Sequence, residues 1–106
     1  MKTLTFLSMT ATLLVSVTAY AADEGEVLFK KSGCSVCHAV AKKVVGPSFK
    51  DIAAKYKDDK TASARLAQKV RMGGSGSFGP MPMPPAPKTV SDESIKTIVE
   101  WALRQK

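Results

Sequence analysis

A small all-α domain is the fold class that this sequence predicts, and three observations predict it. Apolar residues recur at helical spacing in separate segments, most clearly Ile95, Ile98, Val99 and Ala102. No segment shows the alternation that marks a strand. Every cysteine and the only histidine fall in one stretch, Gly33-Cys34-Ser35-Val36-Cys37-His38-Ala39. A chain of 106 residues buries so little surface that it usually needs a staple beyond its apolar core.

That stretch has the Cys-x-x-Cys-His spacing of covalent haem attachment. Two thioethers from one turn of chain hold one edge of a porphyrin and leave the next side chain, His38, under the metal. A closed zinc site wants four Cys or His ligands, and this chain has three in all. A thioredoxin-like pair wants alternating strands and helices around it. A small disulfide, or two idle thiols beside an unrelated histidine, is the remaining reading. The expectation is one covalently attached haem c per chain, and an apo chain that folds poorly.

Taken in order, Met1-Lys2-Thr3 carries one positive charge, Leu4 to Val17 is a Thr/Ser-diluted apolar run, and Ala19-Tyr20-Ala21 is a small-x-small end. This pattern predicts a secretory signal peptide, residues 1–21 or 1–22, cleaved after Ala21 or Ala22, with the functional domain over 23–106. The run is short for a membrane span and lacks a basic stop-transfer cluster, so no permanent anchor is expected. The expected location is periplasmic, where an oxidising environment favours a Cys34–Cys37 disulfide until the thiols are used.

A helix is predicted from Asp23, with Asp23, Glu24 and Glu26 at its positive end, Lys30 and Lys31 in its last turn, and Gly33 as its stop. Phe29 is a core residue of it. Val40 to Val45 reads as irregular and leads to Gly46-Pro47. A metal-bound imidazole usually donates its other N–H to an acceptor, and a proline presents its carbonyl rigidly. Pro47 is therefore either the partner of His38 or part of an ordinary turn before a helix. Ser48 caps that helix, with Phe49, Ile52 and Ala53 on one face. After the polar turn Lys57-Asp58-Asp59-Lys60, a third helix runs from about Thr61 to Met72, and Gly73-Gly74-Ser75-Gly76-Ser77 stops it. Met72 is expected as core filling.

The segment Gly79-Pro80-Met81-Pro82-Met83-Pro84-Pro85-Ala86-Pro87 is too rich in proline for a helix or a central strand. It reads as a stiff, extended loop. With no second histidine in the chain, such a loop suits a methionine thioether as the sixth iron ligand, which also raises the haem potential. Spacing alone does not choose between Met81 and Met83. The last segment is an amphipathic helix capped by Ser91, with Asp92 and Glu93 in its first turn and Trp101 and Leu103 extending its apolar surface. Its expected partner is the first helix.

These residues together resemble the small bacterial class I cytochromes c of the c-551 type, over essentially all of 23–106. The resemblance rests on Glu26-Val27-Leu28-Phe29-Lys30, Gly33-Cys34-x-x-Cys37-His38-Ala39, Val45-Gly46-Pro47, Gly79-Pro80-x-Pro82-Met83-Pro84-Pro85 and the Trp101 region. It implies a small cytochrome c fold, about four helices around one covalently bound haem, with His38 and Met83 as axial ligands. It also implies an electron carrier rather than an enzyme; a haem enzyme or ligand sensor with a labile sixth site is the alternative. Relatives are expected to have a tryptophan before the Gly-Pro of the methionine loop and an arginine late in the third helix, both near a haem propionate. Phe78 and Lys69 stand at those positions, and Phe78 has no N–H to donate.

The formal charge is +7. The leader carries one of the 16 basic residues and none of the 9 acidic ones, so 23–106 carries +6. A basic surface suits acidic partners. Lys30, Lys31, Lys42 and Lys43 flank the attachment sequence, and Lys50, Lys55 and Lys88 extend the set. They form either a docking ring or an ordinary solvated surface. No nucleic-acid motif accompanies the charge. The resemblance implies respiratory redox partners: an upstream cytochrome-containing reductase, and a terminal oxidase, nitrite reductase or peroxidase. The chain is expected to act as a monomer.

Overall fold

The computed structural model describes residues 23–106; the predicted signal peptide lies outside them. Four helices appear where the capping residues and apolar spacing place them: α1 (Glu24–Lys31), α2 (Phe49–Lys55), α3 (Ala62–Met72) and α4 (Asp92–Leu103). Asp23 Oδ1 accepts from Gly25 N at 2.9 Å and caps α1. Lys30 and Glu26 pair at 3.0 Å one turn apart on its exposed side, worth only a few tenths of a kcal/mol. In α4 the Ser91 hydroxyl accepts from Ser94 N at 3.1 Å, and Ile95, Ile98, Val99, Trp101 and Ala102 are buried.

Helix α4 is the hub, packing against α1, α2 and α3. Its crossing with α1 is made by Gly25, where an added Cβ would lie 2.2 Å from Trp101 Cβ and 2.6 Å from its Cγ. The backbones approach that closely only because residue 25 has no side chain. Arg104 closes the same contact by reaching Asp23 at 3.0 Å. Around the crossing, Phe29, Phe49 and Trp101 form an aromatic triad with ring centroids 5.0, 5.3 and 5.5 Å apart, in the tilted and edge-to-face arrangements that ring quadrupoles favour. Phe29 is core, as its position in α1 predicts.

Helix α3 is introduced by a device that apolar spacing does not signal. Asp59 Oδ1 accepts from Thr61 N at 2.9 Å and from Thr61 Oγ1 at 2.7 Å, and Arg65 reaches its other oxygen. The Thr61 donors, chiefly its hydroxyl, hold the Asp59 carboxyl below its ordinary pKa.

Two expectations are corrected. Strands do occur: β1 (Gly74–Gly76) and β2 (Gly79–Met83) form an antiparallel hairpin around Ser77-Phe78, pairing Gly74 with Met83 and Gly76 with Gly79. Gly76 and Gly79 flank that turn at φ of 104° and 106°, a region open to glycine. Three residues of β1 face five of β2, an irregularity that leaves Pro80 and Pro82 without an obligation to donate. Residues of this kind carry no alternating pattern, so the pairing was invisible to periodicity. Met72 is not core filling either. It is 71% exposed at the end of α3, because Leu66 and Val70 hold the inward face there and Met72 falls on the other side.

Candidate haem site

The attachment sequence begins where α1 ends. Ser32 N closes the last turn on Leu28 O, and Gly33 turns the chain with φ of 80°, the left-handed conformation that glycine takes most readily. A single 3-10 turn, Cys34–Val36, follows and places Cys34, Cys37 and His38 on one wall of a cavity. His38 N donates to Cys34 O at 2.9 Å. Both thiols are half-buried. Burial is the main cause that pushes the Cys34 thiol up from its ordinary pKa, with Cys37 adding to the rise and a backbone hydrogen bond opposing it.

His38 is held from three sides. Its Nδ1 lies 2.7 Å from Pro47 O. A carbonyl only accepts, so Nδ1 carries the hydrogen and Nε2 keeps the lone pair that a metal needs. Phe49 lies 5.4 Å away, ring to ring, and ties the imidazole to the aromatic triad. Gly46 supports the ring edge: an added Cβ would lie 2.6 Å from His38 Cε1 and 3.0 Å from Nδ1. The Gly46-Pro47 pair thus does two jobs, and only the proline carbonyl is suggested by the sequence.

The loop between is folded back to keep that geometry. Gly46 N and Val45 N donate to Cys37 O at 2.7 and 3.2 Å. Phe49 N and Lys50 N, orphan donors at the start of α2, reach Ala39 O and Val40 O at 3.0 Å each. The buried Ser48 hydroxyl takes the next, Asp51 N, at 3.1 Å. Helix α2 is thereby docked directly on the residues that follow His38.

The cavity measures about 530 Å³. Ile52, Leu66, Val70, Ile98 and Val99 give it apolar walls, and the hairpin brings Phe78, Met81 and Met83 to it. Lys43, Lys69 and Asp51 also line it. Met83 is half-buried, whereas Met81 is 63% exposed. The Met83 backbone is paired with Gly74 and passes close to Gly73, where an added Cβ would sit 2.6 Å from Met83 O. Lys55 reaches Ser77 O, with its ammonium 4.4 Å from the Phe78 ring centroid, and so ties α2 to the hairpin turn by a cation–π contact. Of the expected lysine ring, Lys30, Lys31, Lys42, Lys50 and Lys88 are exposed but do not line the cavity. Apolar walls with two thiols, an oriented imidazole and a thioether fit a haem.

Replacing Gly46 with alanine should test the support of the imidazole. The added methyl must displace His38 or the Gly46-Pro47 backbone, at a cost of about 1–3 kcal/mol. The unfolding free energy of the haem-loaded protein should fall by that amount, and the redox potential should shift because the Nδ1–Pro47 hydrogen bond is disturbed. A variant with both quantities unchanged would show that the glycine is there only for the turn.

A haem attachment sequence set in a helical shell of this arrangement defines a c-type cytochrome. The Cytochrome c family model matches residues 22–105. Cytochrome c-551 of Pseudomonas aeruginosa is 44% identical over 106 residues, all of both chains. Cytochrome c-551 of Azotobacter vinelandii is 49% identical over 84 residues, 79% of this chain and all of that protein. Among solved structures, the crystal structure of wild-type Nitrosomonas europaea cytochrome c552 superposes with a TM-score of 0.72 at 48% identity, covering 76% of this chain and 99% of that one. The chain belongs to the cytochrome c family, as a class I cytochrome of the c-551 type. It is an electron-transfer protein rather than an enzyme, carries covalently attached haem c, and works with redox partner proteins. No helix among the described residues is long and apolar enough to cross a membrane.

Proposed function

We propose that this cytochrome carries single electrons between respiratory partners in the periplasm, with haem bound through Cys34 and Cys37 and its iron ligated by His38 and Met83. The observation that carries the reading is the oriented imidazole. With Nδ1 committed to Pro47 O, Nε2 is the donor atom available to a metal in the cavity that Met83 also lines. Bound haem supplies an iron that cycles between the ferrous and ferric states. The chain's residues shape its surroundings: Pro47 and Gly46 orient the imidazole, Gly73 lets the Met83 backbone approach α3 closely, and the walls are mainly apolar. Lys69 and Phe78 both line the cavity, which supports their assignment beside a propionate. Removal of residues 1–21 or 1–22 as an export signal is part of the reading, and the 84 residues over which the A. vinelandii relative aligns in full equal the length of 23–106.

The test is an absorption spectrum of the oxidised protein into the near infrared, where a thioether-to-iron charge-transfer band marks His/Met ligation. Met83→Leu should abolish the band and Met81→Leu should retain it. The reverse pattern would move the ligand to Met81, and a wild-type protein without the band would reopen the sixth position.

Docking is proposed to use the face that carries Lys42 and Lys43, which are exposed beside the half-exposed Val44 and Val45. Fleeting redox encounters suit small contacts and complementary charge. Replacing both lysines with glutamate should slow electron exchange with an acidic partner about tenfold or more at low salt and weaken its salt dependence. Stopped-flow rates that match the wild type across ionic strength would remove these lysines from the docking face.

A further inference from the structure

The C-terminal end of α3 grips the segment that carries Met83, and we infer that Arg71 is a positioning residue for the Met83 thioether. The inference rests on Met83 being the iron ligand, as proposed above.

Arg71 lies outside the aromatic core, and its side chain is 28% exposed. Its guanidinium spreads over three acceptors: Nε donates to Asp92 Oδ1 at 2.8 Å, Nη1 to Pro87 O at 3.3 Å, and Nη2 to Val90 O. One fork thus joins α3, the stretch that follows Met83, and the first residue of α4. The neighbours of Arg71 act on the same stretch. Val70 O, an orphan acceptor near the helix end, takes Ala86 N at 2.9 Å. Gly73, with φ of 72°, leaves room for Met83 O and Pro85 N, which an added Cβ would meet at 2.6 and 2.8 Å.

The stretch needs such outside support. Pro84, Pro85 and Pro87 have no N–H, and among the described residues the backbone hydrogen bonds from donors in 84–90 are Ala86 N to Val70 O and Val90 N to Pro87 O. The second lies within the stretch. Among the described residues, therefore, Val70 O and the Arg71 fork are the polar anchors that tie the stretch between β2 and α4 to the rest of the domain. Because prolines fix φ at 84, 85 and 87, the chain between Pro87 and Met83 has few soft dihedrals, and a displacement at Pro87 shifts Ala86 off Val70 O and passes on toward Met83. Lysine cannot replace the fork, since an ammonium is a point donor without the planar spread of a guanidinium.

The experiment uses oxidised haem-loaded protein and measures the rate at which added imidazole displaces the thioether, followed by loss of the near-infrared band. Arg71→Ala should exchange about tenfold faster or more, the scale of losing hydrogen bonds from a charged group. Arg71→Lys should resemble Arg71→Ala more than the wild type. Asp92→Asn should stay near the wild-type rate, because both carbonyl contacts remain. Gly25→Ala is the control for general destabilisation, and it should accelerate exchange less than Arg71→Ala does at equal distance from its own denaturation midpoint. An Arg71→Ala rate within about twofold of wild type, or one matched by the Gly25→Ala control, overturns the proposal. Persistence of the band in Met83→Leu overturns the ligand assignment and the proposal with it, a result separable from the others because it needs no kinetics.

Discussion

Substituting Gly25 by alanine lowers the stability of the haem-loaded protein by about 3 kcal/mol or more, at the upper end of what overpacking costs. The reason is the identity of the atoms in the way. A Cβ at residue 25 would lie 2.2 Å from Trp101 Cβ and 3.1 Å from Thr97 O. One is the root of a buried ring and the other is backbone, so no side-chain tip can swing aside. Helices α1 and α4 must separate, and Phe29, 5.3 Å from Trp101, loses its packing with them. A domain of this size has a total stability of only about 4–13 kcal/mol, so valine at the same position should prevent folding. Val27→Ala, on the exposed side of the same helix, should change stability by less than about 0.5 kcal/mol. Denaturant midpoints of the three variants decide the matter. An unchanged midpoint for Gly25→Ala would mean that the helices do not cross at this residue.

Gly25 also marks where reading the sequence stops being sufficient. The helices were legible because their signals are local: Asp23, Ser48 and Ser91 each cap the helix they precede, and the buried positions of α4 are those with helical spacing. The attachment sequence was legible because covalent chemistry constrains residue type and spacing together. Close approach is not local. Nothing near Gly25 in sequence announces Trp101, and nothing near Gly73 announces Met83. The hairpin failed to show itself because a pairing carried by glycine and proline has no alternating pattern, and its register depends on where α3 stops. Met72 was misplaced for a related reason: it follows the inward positions Leu66 and Val70, but two further residues of helix rotate it to the opposite side. Arg71 left no signal at all, since its three acceptors lie 16 to 21 positions away in the chain. Spacing did not choose between Met81 and Met83, and the resemblance pointed to Met83; the lower exposure of Met83 supports that proposed assignment.

Without haem, the protein should lose most of its cooperative structure, and the loss should be uneven. Left unfilled, a cleft of about 530 Å³ walled by Ile52, Leu66, Val70, Ile98 and Val99 would expose these apolar side chains to water, a large loss for a domain whose total stability is small. The chain must therefore collapse the cavity or unfold around it. Collapse is obstructed, because the walls come from α2, α3, the hairpin and α4 together. Moving α2 inward breaks its hydrogen bonds to Ala39 and Val40 and the Nδ1–Pro47 contact of His38. The α1–α4 crossing is different. Gly25, Phe29 and Trp101 do not line the cavity, and their contact survives its loss. A chain with Cys34→Ala and Cys37→Ala, which cannot attach haem, should show much reduced helicity and no sharp thermal transition. Residual amide-exchange protection should be confined to α1 and α4. A dispersed spectrum with protection spread evenly over all four helices would show that the shell stands without its centre. The staple would then lie in the aromatic triad rather than in the cofactor.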